Sequence, residues 1–330
     1  VLFCCGTELY TNKENAVVTN AVKPFAVVFP GQGSQSVGMM NSFEQSAVVR
    51  DCFAEASEAL GQDLWQLVAA GPSEELALTA NTQPVMLTAG VAVWRAWLAA
   101  GGAKPTVLAG HSLGEYAALV AAEALDFADA VKLVRFRAQA MQEAVPAGEG
   151  GMAAILNLSP EDVIAACEAS AQGQVVSPAN MNSPVQIVIA GHATAVARAM
   201  EACKARGAKR AVALPVSAPF HCALMRPAAE RLAERLAATR LMSPVIPVLN
   251  NVDVKCESSP DAIRDALVRQ AFSPVRWIEI VQTMVAQPLD TVLEFGPGKV
   301  LAGLVKRIAP EITAEAAFDS DSVSRLLVPA

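Results

Sequence analysis

The stretch Pro105-Thr106-Val107-Leu108-Ala109-Gly110-His111-Ser112-Leu113-Gly114-Glu115-Tyr116-Ala117-Ala118-Leu119-Val120-Ala121-Ala122 changes character at its centre. Residues 105–109 are apolar and long enough for a buried parallel strand, and from Glu115 the alanine-rich run has strong helix propensity. Between them lies Gly110-His111-Ser112-Leu113-Gly114. A serine at a tight strand-to-helix turn is lifted clear of the sheet, and glycines two positions to either side let neighbouring backbone pack closely. The pentapeptide therefore reads as a nucleophile elbow, with Ser112 at a helix N-terminus near partly positive amides.

A serine alcohol needs a base, usually histidine near neutral pH, and this chain has 3 histidines. His111 adjoins the serine but is expected to point away across the elbow, and His192 follows Ala190-Gly191 in what reads as a surface turn. His221 is the remaining candidate, in Ala218-Pro219-Phe220-His221-Cys222. Pro219 stiffens that turn, and Ala223 to Ala238 reads as a helix with Leu224, Ala228, Leu232 and Leu236 along one stripe. A histidine at a helix start tends to stay neutral, as a base must. A helix-capping or core histidine is the alternative reading of His221. A Cys222–His221 pair is disfavoured because adjacent residues at a helix start diverge in direction.

Outward from the elbow, strand-like runs alternate with helices from Lys23 to about Ala147, the α/β signature, beginning with Phe25-Ala26-Val27-Val28-Phe29. The pattern then changes. Gly151 to Leu156 reads as a strand, and Ser159-Pro160-Glu161-Asp162 starts a helix with Ser at the N-cap and Pro at the first helical position. A strand pair follows at Val175-Val176 and Gln186 to Ala190, then a helix from Ala193 to Arg206 and a strand at Arg210 to Leu214. The order βαββαβ predicts a ferredoxin-like unit. It is placed as an insertion, residues 148–217, because His221 must return to Ser112; residues 23–147 and 218–330 then form a large α/β-hydrolase-like catalytic domain with a central parallel sheet. Val245-Ile246-Pro247-Val248-Leu249 and Asp290 to Phe295 read as further strands of that sheet, and the active site is expected in the cleft between the two units. Residues 1–22 read as a disordered leader or an expression remnant.

Five segments together carry a family resemblance: Phe29-Pro30-Gly31-Gln32-Gly33-Ser34-Gln35, Gly110-His111-Ser112-Leu113-Gly114-Glu115-Tyr116, Asn180-Met181-Asn182-Ser183-Pro184, Pro219-Phe220-His221-Cys222 and Glu294-Phe295-Gly296-Pro297-Gly298. In this order they closely resemble the malonyl-CoA:acyl carrier protein transacylases. The resemblance implies a ping-pong exchange: Ser112 attacks the malonyl thioester, CoA leaves, and the phosphopantetheine thiol of acyl carrier protein collects the malonyl group. CoA thioester and phosphopantetheine are then substrates, and no separate cofactor or metal is called for. An acyl-serine intermediate splits one difficult exchange into two similar steps, with His221 as base in one direction and acid in the other. The tetrahedral intermediates need oxyanion donors. The amide of Leu113, after the nucleophile, is the natural first; the resemblance makes the amide of Gln32 the second, in a glycine-flanked loop at a strand's carboxyl end.

A malonyl carrier differs from an esterase in needing a cation for the free carboxylate. Val131-Lys132-Leu133-Val134-Arg135-Phe136-Arg137-Ala138-Gln139-Ala140-Met141 offers two arginines. Arg137 has Leu133 and Met141 four residues away on either side and shares their apolar face, whereas Arg135 has Val131 and Gln139. A guanidinium pairs bidentately with a carboxylate as lysine cannot, and the family's malonyl-binding arginine also maps to Arg137. By resemblance the base histidine is oriented by a backbone carbonyl at Gln270, and Asn180 and Asn182, in a Ser-Pro-flanked turn, hold the substrate or order the loop. In related acyltransferases a Phe before the histidine goes with malonyl, so Phe220 implies malonyl selectivity. One branching methyl is worth only about 1–3 kcal/mol in a pocket, so that selectivity need not be absolute.

Composition agrees with a folded cytoplasmic enzyme: 53% of residues are hydrophobic and mean hydropathy is +0.36. Pro84 to Ala100, the nearest approach to a membrane span, is short and contains Arg95 and Gly90, so it reads as a buried helix. The 7 cysteines show no metal-ligand spacing and fit a reducing compartment. A net charge of −7 argues against nucleic acid. It also requires an acidic carrier protein to dock on a local basic patch, with Lys299, Lys306 and Arg307, or Lys204, Arg206, Lys209 and Arg210, as candidates. The family's usual form is a monomer. Alternatives are a serine esterase or thioesterase, which has no need of a buried cation, a malonyltransferase of a polyketide pathway, and a noncatalytic carrier-binding scaffold.

Overall fold

Phe25–Phe29 forms the first strand, β1, and all of it is buried. Phe25, Val27 and Phe29 enter one hydrophobic cluster while Ala26 and Val28 enter another. A strand buried on both faces is what a parallel sheet with helices on each side demands. The computed structural model describes residues 23–216 and 218–327. The leader expectation for residues 1–22 lies outside the described residues, as do Cys4 and Cys5.

The other strands are β2 (Val107–Gly110), β3 (Gly150–Leu156), β4 (Val176–Ser183), β5 (Gln186–His192), β6 (Arg210–Ala213), β7 (Val248–Leu249), β8 (Thr291–Phe295) and β9 (Thr313–Ala317). The large sheet runs β7-β2-β1-β8-β9 with every pairing parallel. On one face lies the long buried helix Thr79–Ala99, with Phe127–Glu143 packed against it. On the other face lie Trp277–Val285 and Val300–Ile308. No helix among the described residues is long and apolar enough to cross a membrane.

The small sheet, β4-β5-β3-β6, is antiparallel throughout. Helices Pro160–Ser170 and Ala193–Ala205 cover one face through Val163, Ala166, Val196 and Ala199. The first carries the expected cap, Ser159 accepting from the amide of Asp162. Met152, Val188 and Ala190 on the opposite face pack with Cys222, Phe220 and Leu224, so the small sheet rests on the segment that carries His221.

Four local expectations need correction, and one further strand was not anticipated. The strand expected over 245–249 shrinks to Val248–Leu249, because Pro247 has no N–H to give and Val245 is 58% exposed. The second strand of the small unit extends through Ser183, so Asn180 and Asn182 sit on β4 and not in a turn. Pro and Asn are poor strand formers, and β4 tolerates them through register shifts at Pro178/Asn180 and Met181/Ser183, with the 275 segment bonding its outer edge. The helix expected from Ala223 begins as a 3-10 turn, Ala223–Met225, and becomes α-helical over Arg226–Ala237, where Pro227 fits the first turn. His192 ends β5 and accepts the amide of Val175 at Nδ1, 2.9 Å away, so it does not sit in a surface turn. Finally, Thr313-Ala314-Glu315-Ala316-Ala317 pairs with β8, a strand that its Ala and Glu content conceals.

Candidate active site

Close backbone packing builds the elbow. A Cβ on Gly110 would lie 1.9 Å from the carbonyl carbon of Gly114, and one on Gly114 would lie 2.0 Å from the carbonyl oxygen of Phe29. No side chain fits at either position. With β2 held this tightly to the helix Gly114–Ala121, Ser112 adopts φ +53°, a left-handed conformation costly for a non-glycine residue. His221, in the turn before the 3-10 segment, has φ +62° and is strained in the same sense. Such outliers cluster where geometry serves chemistry.

Ser112 Oγ and His221 Nε2 lie 2.6 Å apart, and His221 Nδ1 lies 2.9 Å from the backbone carbonyl of Gln270. The carbonyl can only accept, so Nδ1 carries the proton and Nε2 presents its lone pair to the serine. His221 is 3% exposed. Burial, and then the charge of Arg137, push its pKa down to about 3, so the imidazole is neutral near pH 7. Cys222 donates from Sγ to the Pro219 carbonyl at 3.1 Å, and burial raises its pKa to about 11, so it is an inert thiol.

Arg137, 2% exposed, reaches the same centre. Its Nη2 donates to Ser112 Oγ at 3.2 Å and to Gln270 Oε1 at 3.0 Å, and its Nη1 donates to Gln83 Oε1 at 2.9 Å. Its Nε is buried with no partner, and its guanidinium lies 5.5 Å from the Tyr116 ring centre. Beside the serine oxygen its hydrogen-bond partners are two neutral amide oxygens, and among the described residues no carboxylate pairs with it, Glu115 acting on it only through space. Arg135, on the other face, donates to Gln62.

Loop 30–35 packs onto the elbow: a Cβ on Gly31 would lie 2.6 Å from the His111 carbonyl oxygen. The side chain of Gln32 is exposed and donates to Thr79 at 3.4 Å, and Leu113 is 1% exposed at the entry of the helix. Asn182 accepts from His111 Nε2 at 2.8 Å, and His111 packs on Trp277 with ring centres 5.4 Å apart. Asn182 thus ties the small sheet to the elbow. Asn180 pairs with Val188 and Val275 along β4. Phe220, next to His221, is half-buried and packs against two hydrophobic clusters.

Sequence reading missed Gln83 and Asn251. Gln83 lies at the buried start of helix Thr79–Ala99, and Asn251 follows the carboxyl end of β7 and accepts the Ser112 amide at 2.7 Å. The available signal was a polar residue beside an apolar run at a strand's carboxyl end, where open α/β sheets gather their ligands.

The acyl transferase domain family matches residues 26–318. A malonyl CoA-acyl carrier protein transacylase of Escherichia coli (strain K12) is 57% identical over 304 residues, covering 92% of this chain and 98% of its own. The crystal structure of an acyl carrier protein S-malonyltransferase from Vibrio cholerae superposes with a TM-score of 0.91 at 56% identity, over 92% of this chain and 100% of that one. A malonyl-transacylase in complex with its type II PKS acyl-carrier protein gives a TM-score of 0.91 at 54% identity, over 92% and 99% of the two chains. With the elbow, the paired histidine and the buried arginine in one site, the chain belongs to the acyl transferase family and, within it, to the malonyl CoA-acyl carrier protein transacylases.

Proposed function

We propose that this protein transfers the malonyl group from malonyl-CoA to the phosphopantetheine thiol of acyl carrier protein through a malonyl-Ser112 intermediate, supplying extender units for fatty acid synthesis. The observation that carries the reading is a single serine oxygen placed 2.6 Å from a neutral imidazole and 3.2 Å from a buried guanidinium. A neutral ester would leave that cation unused; a malonyl thioester brings its own carboxylate.

Ser112 gives its proton to His221 Nε2 as Oγ attacks the thioester carbonyl. The tetrahedral intermediate collapses with loss of the C–S bond, and the departing CoA sulfur takes the proton from His221. In the second half the carrier thiol gives its proton to His221, its sulfur attacks the acyl-serine carbonyl, and the proton returns to Ser112 Oγ as the ester bond breaks. The amides of Leu113 and Gln32 are assigned to the oxyanion, and Arg137 to the malonyl carboxylate. The Gln270 carbonyl holds the Nδ1 proton of His221 throughout. Phe220 is assigned to acyl selectivity, while Asn180 and Asn182 act through the order of β4.

Arg137 also tunes the base. Its charge is the second cause that weakens His221, so a carboxylate that neutralises it strengthens the imidazole as malonyl binds.

We further infer that residues 148–217 are an inserted subdomain between 23–147 and 218–330, and that the protein is a cytoplasmic monomer whose CoA and pantetheine groups are substrates. Free thiols at Cys52, Cys167, Cys203, Cys222 and Cys256 support a reducing compartment. Intact mass tests the main reading. Malonyl-CoA is expected to label wild type but not Ser112→Ala, acetyl-CoA to leave wild type unlabelled, and added carrier protein to discharge the label. Rapid release of free malonate without a labelled intermediate would assign a hydrolase instead.

A further inference from the structure

Glu115 is 2% exposed in an otherwise apolar helix, Gly114–Ala121. Its Oε2 accepts two bonds, from the backbone N–H of Asn251 and from Nε2 of Gln270, each at 2.9 Å. Both donors belong to residues that hold the nucleophile. Asn251 Oδ1 accepts the N–H of Ser112 at 2.7 Å, and its Nδ2 donates to the Gly110 carbonyl at 2.7 Å. Gln270 Nε2 donates to the Ser112 carbonyl at 3.0 Å. Side chains therefore grip Ser112 by its own N–H and C=O, at a residue whose φ of +53° needs holding.

We propose that Glu115 is a positioning residue for acyl transfer, its Oε2 joining the two arms, Asn251 and Gln270, that hold Ser112, His221 and Arg137 in register. This rests on the acyl-transfer reading above. Gln270 is the branch point, since its carbonyl accepts from His221 and its Oε1 from Arg137. Arg137 can only donate, so the Gln270 amide must turn its oxygen toward Arg137 and its nitrogen toward Glu115, and that nitrogen needs an acceptor. Without Glu115 the amide keeps one acceptor, the Ser112 carbonyl, and the Asn251 N–H is left buried and unpaired. Burial raises the Glu115 carboxyl to about 7, against the bonds from Gln270 and Asn251. A proton on its other oxygen leaves Oε2 an acceptor, so the clamp persists in either state.

The test is the rate of malonyl labelling of Ser112, with kcat and KM, in wild type, Glu115→Ala, Glu115→Asp and Glu115→Gln. Displacing reacting groups by about 1 Å costs on the order of 10²-fold. Labelling is expected to slow by about that factor in Glu115→Ala, with KM for malonyl-CoA raised because Gln270 no longer orients Arg137. Glu115→Gln, whose amide oxygen can accept both bonds, is expected to stay within about tenfold of wild type. Should Glu115→Ala not fold, Glu115→Asp, which keeps the charge but stops short of both donors, reads the same comparison. Folded Ala or Asp variants labelling at the wild-type rate would overturn the proposal, whatever their melting temperature. So would a Gln variant as slow as Ala. A wild type that takes no label defeats the acyl-transfer reading instead.

Discussion

At the scale of single residues, the arrangement turns on one arginine shared between two tasks. Arg137 donates to the nucleophile's oxygen and, among the described residues, is the guanidinium that reaches it. Replacing it with lysine keeps a charge but loses the fork, and a hydrogen bond to a charged group is worth about 1.5–3 kcal/mol. Arg137→Lys is expected to raise KM for malonyl-CoA roughly 10- to 100-fold, and Arg137→Ala to raise acetyl labelling relative to malonyl. Steady-state kinetics with both thioesters checks this; unchanged malonyl preference in the Ala variant would remove Arg137 from the carboxylate site. That Arg137 rather than Arg135 would be the buried arginine was legible in the helix around it, because Leu133 and Met141, four residues to either side, are both buried. The contacts of Gln83, Asn251 and Glu115 were not, because hydrogen bonds between residues so far apart in the chain are not set by local periodicity: Asn251 and Gln270 meet Ser112 only in the folded chain.

At the scale of elements, the elbow is a junction with no spare volume. A methyl at Gly114 would stand 2.0 Å from the Phe29 carbonyl oxygen, and β1 cannot retreat because it is bonded to β2 and β8 on both sides. Overpacking a rigid site costs typically 1–3 kcal/mol, sometimes more. Gly114→Ala is expected to lose at least about 2 kcal/mol in urea denaturation and to slow Ser112 labelling, since β1 also leads into the Gln32 loop. A variant as stable and active as wild type would contradict the packing. Elements with a clear period or cap were readable in advance: β1, the elbow helix and the Ser159-capped helix. Those without were not, namely β9, built of alanine and glutamate, and the asparagine-bearing end of β4, which tertiary pairing holds extended.

At the scale of the whole molecule, the site sits where two sheets meet, and burial there couples titration to stability. His221 lies near 3 in the folded chain against an ordinary 6.5, so below about 6.5 the unfolded chain binds the proton first. Its contribution is full above 6.5 and is lost as pH falls toward 3. Glu115 and Glu294, both raised to about 7, act with the opposite sign: their contribution is full below about 4.5 and is lost as pH rises through 7. Between 4.5 and 6.5 the slopes oppose. His221→Ala removes only the first, so its melting temperature is expected to gain on wild type steadily as pH falls from 7 to 4.5. A difference independent of pH would mean that the folded chain protonates His221 as readily as the unfolded one.

The sequence by itself determined the kind of chemistry and the class of fold. A glycine-flanked serine between strand and helix, three histidines of which one is suitably placed, and an arginine on an apolar face are local facts. So is the βαββαβ order, because hydrophobic periodicity and capping are properties of neighbouring residues. Only the tertiary structure decided which polar groups complete the site. Partners for buried amides and charges are chosen by three-dimensional proximity, where low dielectric makes each unpaired group costly. Hence Asn251 and Gln270, from distant parts of the chain, converge on Ser112 with the Glu115 carboxyl between them, and Asn182 is drawn to His111.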